Sequence, residues 1–408
     1  AIRTPEWASD TKITAILSGF LFAGAWDASN ESDKAVLSLL ANNVEYDQIE
    51  NKLADLLLLS DSPVWSIGHM RGLVSKIDAL YAINKRLVWK DIERFLDLAE
   101  QVLSEDDPSL DLPEDQQWAA GIYGKKREIS SALREGVSES LVLLAVYGNS
   151  LFQDQLGHDV EIKIGQIIKS LLTPLTTRKL EAQSNDLPVY AEAAPEIFLH
   201  IIKKDLNSIE PQSLGLMRPV QSGLFGRNSR TGLLWALESI AWSPEYLIRT
   251  VRILAELAQP VINDNWVNKP IESLSAIFRY WMPQTTAPLK ARIAALEYLV
   301  REYPDIAWTL CFEQFNAHSK IGVYSYKPRW RTGAHGSGDL VEGEERQEFR
   351  QKALEMALDW RWHSADTLGD LVSCIEQQLS EEFEDRIWDL IETWNHTAID
   401  RERSILRE

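Results

Sequence analysis

An all-α fold, an irregular α-solenoid of HEAT- or TPR-like helical hairpins, is what this 408-residue sequence predicts. Three observations carry that reading. Apolar residues recur at three- and four-residue spacing through most of the chain, which marks one face of an α-helix. A step made of a helix stop, a proline, an acidic residue and a new helix appears three times. The length exceeds what a single core supports, so subdomains or an elongated repeat array are expected.

Taken in order, Ile13, Ile16, Leu17, Phe20 and Leu21 place an amphipathic helix over Asp10 to Asp27, and 34–41 and 46–59 continue the rhythm. The rhythm then breaks in "SPVWSIGHMRGLVSKIDALYAI". Two short extended pieces, Val64 to Ile67 and Leu73 to Val74, flank Gly68 and Gly72 and predict a small hairpin near residues 64–75, with Ser75 capping a helix over Lys76 to Ile83. A longer helix is expected from Trp89 to Leu103, ending at the acidic, proline-punctuated "SEDDPSLDLPED". That stretch lacks the glycine and the ligand spacing of a calcium loop, so it reads as a solvated loop. Leu133, Val137, Leu141, Leu144 and Ala145 share the face of a helix from Ser131 to Gly148, the glycine serving as a stop. Another helix ends near Pro174.

The recurring step appears in "LPVYAEAAPEIFLHII", "WALESIAWSPEYLIRTV" and "ALEYLVREYPDIAWTL". Proline suits the first helical position because its missing N–H would be unpaired there, and it drives the preceding residue out of the helical region. The next residue (Glu196, Glu245 or Asp305) faces the positive end of the new helix. Pro195, Pro244 and Pro304 lie 49 and 60 residues apart, near the length of a HEAT unit with inserted connections. After it, "FNAHSKIGVYSYKPRWRTGAHGSGDLVEGEE" interleaves aromatics with cations, and further helices are expected over 345–360, 363–379 and 381–399. Trp360 and Trp362 read as packing residues. The resulting division is an N-terminal helical part (1–150), HEAT-like repeats (151–317) and a C-terminal loop with helices (318–408).

Composition narrows the function. A net charge of −19, with 61 acidic against 42 basic residues, repels nucleic acid and anionic membrane on average. The apolar runs fall far short of the ~20 residues that span a bilayer. The N-terminal stretch does not read as a signal peptide, and two cysteines are too few for a disulfide framework, so a cytoplasmic setting is expected. The chain starts on Ala1 without an initiator methionine, which reads as a piece excised from a longer protein or as simple removal of the methionine.

Catalytic patterns are missing. The sequence holds no Walker-type phosphate loop, no nucleophile elbow and no pair of histidines four apart among its seven, so no catalytic residue, metal ligand or cofactor is assigned. Binding residues are sought instead in the irregular connections. Arg227 and Arg230 stand among Gly223, Gly226 and Gly232, a composition able to form an anion-holding nest or simply a solvated connection. Trp266 lies in "PVINDNWVNKPIESL", where an indole pins a loop or meets a partner. Tyr326, Arg329, Trp330 and Arg331 suit stacking on bases or gripping an acidic peptide.

The stretches "RGLVSKIDALYAI", "VLSEDDPSLDLPEDQQWAAGIYGKKREISSALREGV", "RTGLLWALESIAWSPEYLIRTVRILAELA", "NWVNKPIESLSAIFRYWMPQT" and "KPRWR" resemble a C-terminal region of large bacterial multidomain proteins, over roughly Pro63 to Arg331. Those proteins are similar to anti-phage defence systems of the STAND class, which join an N-terminal effector, nucleotide-hydrolysing or sirtuin-like, to a C-terminal helical-repeat sensor. The resemblance implies a non-catalytic recognition region that binds a protein partner, a phage-encoded one in those systems, within a longer chain that oligomerises. The competing expectation is an enzyme of unrecognised type, acting on a nucleotide or nucleic acid in a cleft between subdomains.

Overall fold

The computed structural model describes residues 5–156, 159–220, 228–316, 322–331, 341, 343–375 and 381–407. The chain forms two compact units, Ala1–Ala236 and Leu237–Glu408. Their boundary falls inside a helix and coincides with neither boundary of the three-part division read from the sequence. Among the described residues no helix is long and apolar enough to cross a membrane.

In the first unit α1 (Thr11–Leu17), β1 (Ala25–Asp27), α2 (Glu31–Leu40), α3 (Tyr46–Leu57), β2 (Val64–Ile67), β3 (Met70–Leu73) and α4 (Lys76–Ile83) precede the longer helices α5 (Trp89–Ser104), α6 (Ser131–Leu156) and α7 (Val160–Leu172). Then come α8 (Thr177–Ala182), α9 (Leu187–Ala193), α10 (Pro195–Leu206) and α11 (Arg230–Ala241), the last of which crosses into the second unit. The second unit continues with α12 (Leu247–Ala258), α13 (Pro270–Phe278), α14 (Leu289–Glu302), α15 (Pro304–Phe315), α16 (Gly343–Leu358), α17 (Ala365–Ile375), α18 (Glu381–Thr397) and α19 (Asp400–Arg407). Among the described residues the fold is all-α with one small sheet.

Packing in the second unit is that of a solenoid. α12, α14, α16 and α18 touch in succession as one layer, while α13, α15, α17 and α19 do so as the other. Contacts of α12 with α13, α14 with α15, α15 with α16 and α17 with α18 close the two layers on each other. The first unit repeats the idea, with α5, α7 and α10 in one row and α6 and α9 in the other. Each helix buries its apolar stripe on its neighbours, so the core is continuous along a stack.

Two of the three recurring prolines make the expected corner. Ala194 (φ −141°, ψ 67°) ends α9 and begins α10, and Tyr303 (φ −137°, ψ 61°) ends α14 and begins α15. A single non-helical residue, held in one conformation, turns the chain at both sites, and the following proline takes the first helical position. Pro244 departs from this: it sits in a turn, and α12 begins only at Leu247. The cause lies in the end of α11, whose Ala241 carbonyl accepts from Thr285 Oγ1 and whose Trp242 carbonyl accepts from the Thr286 N–H and hydroxyl. With its last carbonyls tied down, the chain needs a further turn. A helix start missing from the threefold comparison, Pro270 with Glu272 in the first turn, opens α13.

The N-terminal segment corrects another expectation. The helix read over Asp10 to Asp27 stops at Leu17; turns follow, and Ala25–Asp27 becomes the outer strand of a sheet ordered β1-β3-β2. Phe20, Leu21, Phe22, Ala23 and Trp26 are all buried, so helical spacing there reflected burial on every side. Gly24, at φ 71°, immediately precedes the strand, and α6 crosses so closely that a Cβ on Gly136 would collide with the Ala23 carbonyl oxygen. β2 and β3 form the expected hairpin through a two-residue Gly68-His69 turn, and Ser75 Oγ accepts from Asp78 N at 3.3 Å at the start of α4. Gly148 is no stop: α6 runs through it, and since a Cβ there would lie 3.0 Å from Val160 Cγ1 of α7, the glycine lets the helices approach.

The acidic loop is folded, not merely solvated. It forms two short 3-10 turns, Pro108–Asp111 and Glu114–Ala119. Arg178 pairs with Asp106 and Asp111 at 2.8 Å, Lys125 with Asp111 at 3.0 Å, and Arg218 with Glu114 at 3.0 Å and Glu181 at 2.7 Å. Lys125 and Arg178 hold the Asp111 carboxyl below its ordinary range. Among the described residues no cluster of His, Cys, Asp and Glu is arranged to hold a metal ion.

Beneath this loop lies a buried polar network. Arg134, 4% exposed, donates from Nε to Asp186 Oδ2 (2.9 Å), from Nη1 to the Val102 carbonyl (2.8 Å), and from Nη2 to the Leu103 carbonyl (2.9 Å) and Gln183 Oε1 (2.8 Å). The Gln183 amide reaches the Leu103 carbonyl at 2.7 Å, and the Tyr190 hydroxyl donates to Gln183 Oε1 at 2.8 Å. One guanidinium thus satisfies the orphan carbonyls at the end of α5 and a buried carboxylate together.

Both cysteines are free and buried, and burial pushes the Cys311 thiol up to about 12. Of the two C-terminal tryptophans read as packing residues, Trp360 is buried against Trp308 (5.1 Å between ring centroids), whereas Trp362 is 55% exposed. Trp308 Nε1 donates to Asp370 at 2.7 Å, which joins α15 to α17, and α19 was not foreseen at all.

Candidate functional site: an extended strap on the second unit

Residues 322–331 carry no helical periodicity and form no helix or strand. Their main chain is held by side chains from the end of α11 and from the connection after α13. Arg279 Nη1 donates to the Val323 carbonyl at 3.1 Å, the Ser325 N–H donates to Gln284 Oε1 at 3.1 Å, the Tyr326 N–H donates to Glu238 Oε2 at 2.8 Å, and Trp242 Nε1 donates to the Tyr326 carbonyl at 3.1 Å. Four side chains from separate parts of the second unit therefore grip one stretch of backbone.

Side chains of the strap add a second layer of contacts. The Lys327 ammonium lies 4.4 Å from the Trp242 ring centroid and 5.7 Å from that of Tyr324, a cation between aromatic faces. Pro328 is buried, and Gly322 lies where a Cβ would come within 2.6–2.8 Å of Met282 Cε, Arg279 Nη1 and Trp281 Cη2. The Arg329 guanidinium stacks 4.6 Å from the centroid of Trp330. Outward, the strap exposes Val323, Tyr324, Tyr326 and Arg329.

Glu238 sits at the centre of this arrangement. Its carboxylate accepts from Ser273 Oγ at 2.6 Å as well as from the strap. Burial raises its pKa, and these two hydrogen bonds oppose the shift. A carboxyl raised in the folded state stabilises the fold below its ordinary range and loses that contribution as pH rises through the folded pKa. Glu238→Gln keeps an acceptor for the Tyr326 N–H and a donor for Ser273 Oγ while removing the charge. The gap in melting temperature between this variant and the parent is expected to open, in favour of the variant, as pH climbs from about 4 toward neutrality. A gap independent of pH would show that the fold does not raise the pKa of this carboxyl.

The site residues read from sequence are distributed unevenly. Tyr326 (37% exposed), Arg329, Trp330 and Arg331 come together in the strap. Arg230 belongs to the first unit and is 1% exposed; its Nη1 donates to the Arg218 carbonyl at 3.2 Å, so it braces the start of α11 from inside and is not a surface contact. Arg227 and the glycines Gly223 and Gly226 lie outside the described residues, as do His318 and the Gly-rich run after Arg331. Trp266 is half-buried with its indole nitrogen enclosed, and the Lys269 ammonium ties its loop together through the Asp264 carbonyl at 2.9 Å. Beside that loop, Pro260, Ile262, Pro270, Ile271 and Ile306 line an apolar cavity of about 260 Å³ with Lys269 and Asp305 at hand.

Glu238, Trp242, Arg279 and Gln284 were not singled out from sequence. One signal did exist: Glu238 is the single charge in the ten residues of "LLWALESIAW". A lone carboxylate in an apolar helix needs a partner, and the strap supplies it.

No protein-family model matches the chain, and a search of curated proteins yields no match.

Proposed function

We propose that this chain is a non-catalytic helical-repeat recognition region of a larger bacterial anti-phage defence protein of the STAND type, and that it binds a phage-encoded protein. The observation that carries this reading is the strap: an aromatic and basic segment held in fixed register on a solenoid, with Tyr324, Tyr326 and Arg329 turned outward. Aromatic and arginine side chains dominate binding energy at protein interfaces, and a rigid backbone beneath them lowers the entropy lost on association. The solenoid supplies that rigidity.

The test uses the double substitution Arg329→Ala and Trp330→Ala. Arg329 is exposed and Trp330 only half-buried, so the stability change is expected to stay near that of surface substitutions, about 0.5 kcal/mol. Capture of phage structural proteins by the tagged chain is expected to fall by about thirtyfold or more, as for loss of an interface anchor. Unchanged capture across such a panel would remove the strap from recognition, and loss of the helical signal would make the pair part of the core.

A further inference from the structure

The strap is bound to its own chain in the manner of a peptide bound to a receptor. Among the described residues its main chain is met by side chains and by no strand, and its contacts fall into a register that a separate peptide could adopt. We propose that the face formed by Glu238, Trp242, Arg279 and Gln284 is a peptide-binding groove, that 322–331 is its resident occupant, and that it accepts an extended segment of a partner polypeptide carrying an aromatic-x-x-Lys-Pro pattern. This deepens the recognition reading and rests on it.

Chemistry favours that occupant in three ways. Backbone-directed contacts at Val323, Ser325 and Tyr326 impose extension but no sequence, so any chain able to lie flat satisfies them. The sequence requirement enters at Lys327, whose ammonium is read by the Trp242 face, and at Pro328, which is buried and pre-extends the residue before it. Charge points the same way: the field of a chain of net charge −19 draws a basic segment. An empty groove would leave Glu238 and Gln284 without these donors, so the face is built to be occupied.

The resident segment is also an imperfect ligand. Ser325 Oγ is enclosed without a hydrogen-bond partner. A burial of that kind weakens the complex, so a competing peptide with alanine there gains over the strap. A merely structural cover gives no reason for such a gain in trans.

The probe is the synthetic peptide GVYSYKPRWR, the sequence of residues 322–331, labelled for fluorescence anisotropy. Its receptor is the full chain with 322–331 replaced by a Gly/Ser linker of equal length. Saturable one-to-one binding is expected, at least about tenfold tighter than to the parent chain, whose groove is filled. Lys327→Ala in the peptide is expected to weaken binding about tenfold, and Ser325→Ala to tighten it about fivefold. Absence of binding to a folded linker variant overturns the proposal. Should the linker variant fail to fold, protease sites placed within 317–321 and 332–340 of the parent free the strap after folding. Displacement of the cut strap by labelled peptide then supports the groove, and retention against excess peptide overturns it. Peptide binding without capture of any phage protein would keep the groove and sink the defence reading, whereas capture without peptide binding would do the reverse.

Discussion

Replacing Arg134 by methionine is expected to destabilise the first unit by about 3–5 kcal/mol, the cost of breaking a buried ion pair from one side. The substitution leaves Asp186 with a buried charge and strips the Val102 and Leu103 carbonyls of their donors. Gln183 retains its bond to Leu103, so the α5 end is not abandoned altogether. The companion variant, Arg134→Met with Asp186→Leu, separates charge from geometry. If the stranded carboxylate is the main penalty, the double variant regains much of the lost stability. If the carbonyls dominate, it does not, and urea denaturation followed by helical circular dichroism distinguishes the two outcomes.

The second large effect is expected at Trp242, which is wholly buried, donates to the strap and carries Lys327 on its face. Trp242→Ala is expected to cost about 3–5 kcal/mol through the cavity it leaves, with the strap detached in addition. Trp242→Phe keeps an aromatic face for Lys327 and loses the indole N–H, at about 0.5–1.5 kcal/mol. Limited trypsin digestion reads the difference: cleavage after Arg329 is expected to accelerate in both variants, while only the alanine variant melts at markedly lower temperature. A phenylalanine variant as resistant as the parent would show that the Tyr326 carbonyl bond does not hold the strap.

Local signals in the sequence were legible where they act over three or four residues. Ser75 as a cap, Pro195 and Pro304 as helix starts, and the extent of α5 follow from capping and periodicity alone. The segment from Phe20 to Trp26 was misread because a run buried on all sides satisfies helical and extended spacing alike. Pro244 was misread because its geometry depends on Thr285 and Thr286, more than forty residues away. The strap was visible through its aromatic and cationic composition, but its seat was not. Glu238, Trp242, Arg279 and Gln284 reach it by single bonds from separate segments, and side-chain bonds to a distant backbone leave no period in a sequence.

The one-residue corners at Ala194 and Tyr303 make each helix pair they join a bent rod. With no slack between its arms, such a rod cannot hinge at the bend without distorting a φ/ψ pair already fixed between two hydrogen-bonded turns. A push at the free end of α10 is therefore felt at the far end of α9, and likewise between α15 and α14. The connection after α13 is longer, and it contributes Arg279 and Gln284 to the strap's seat.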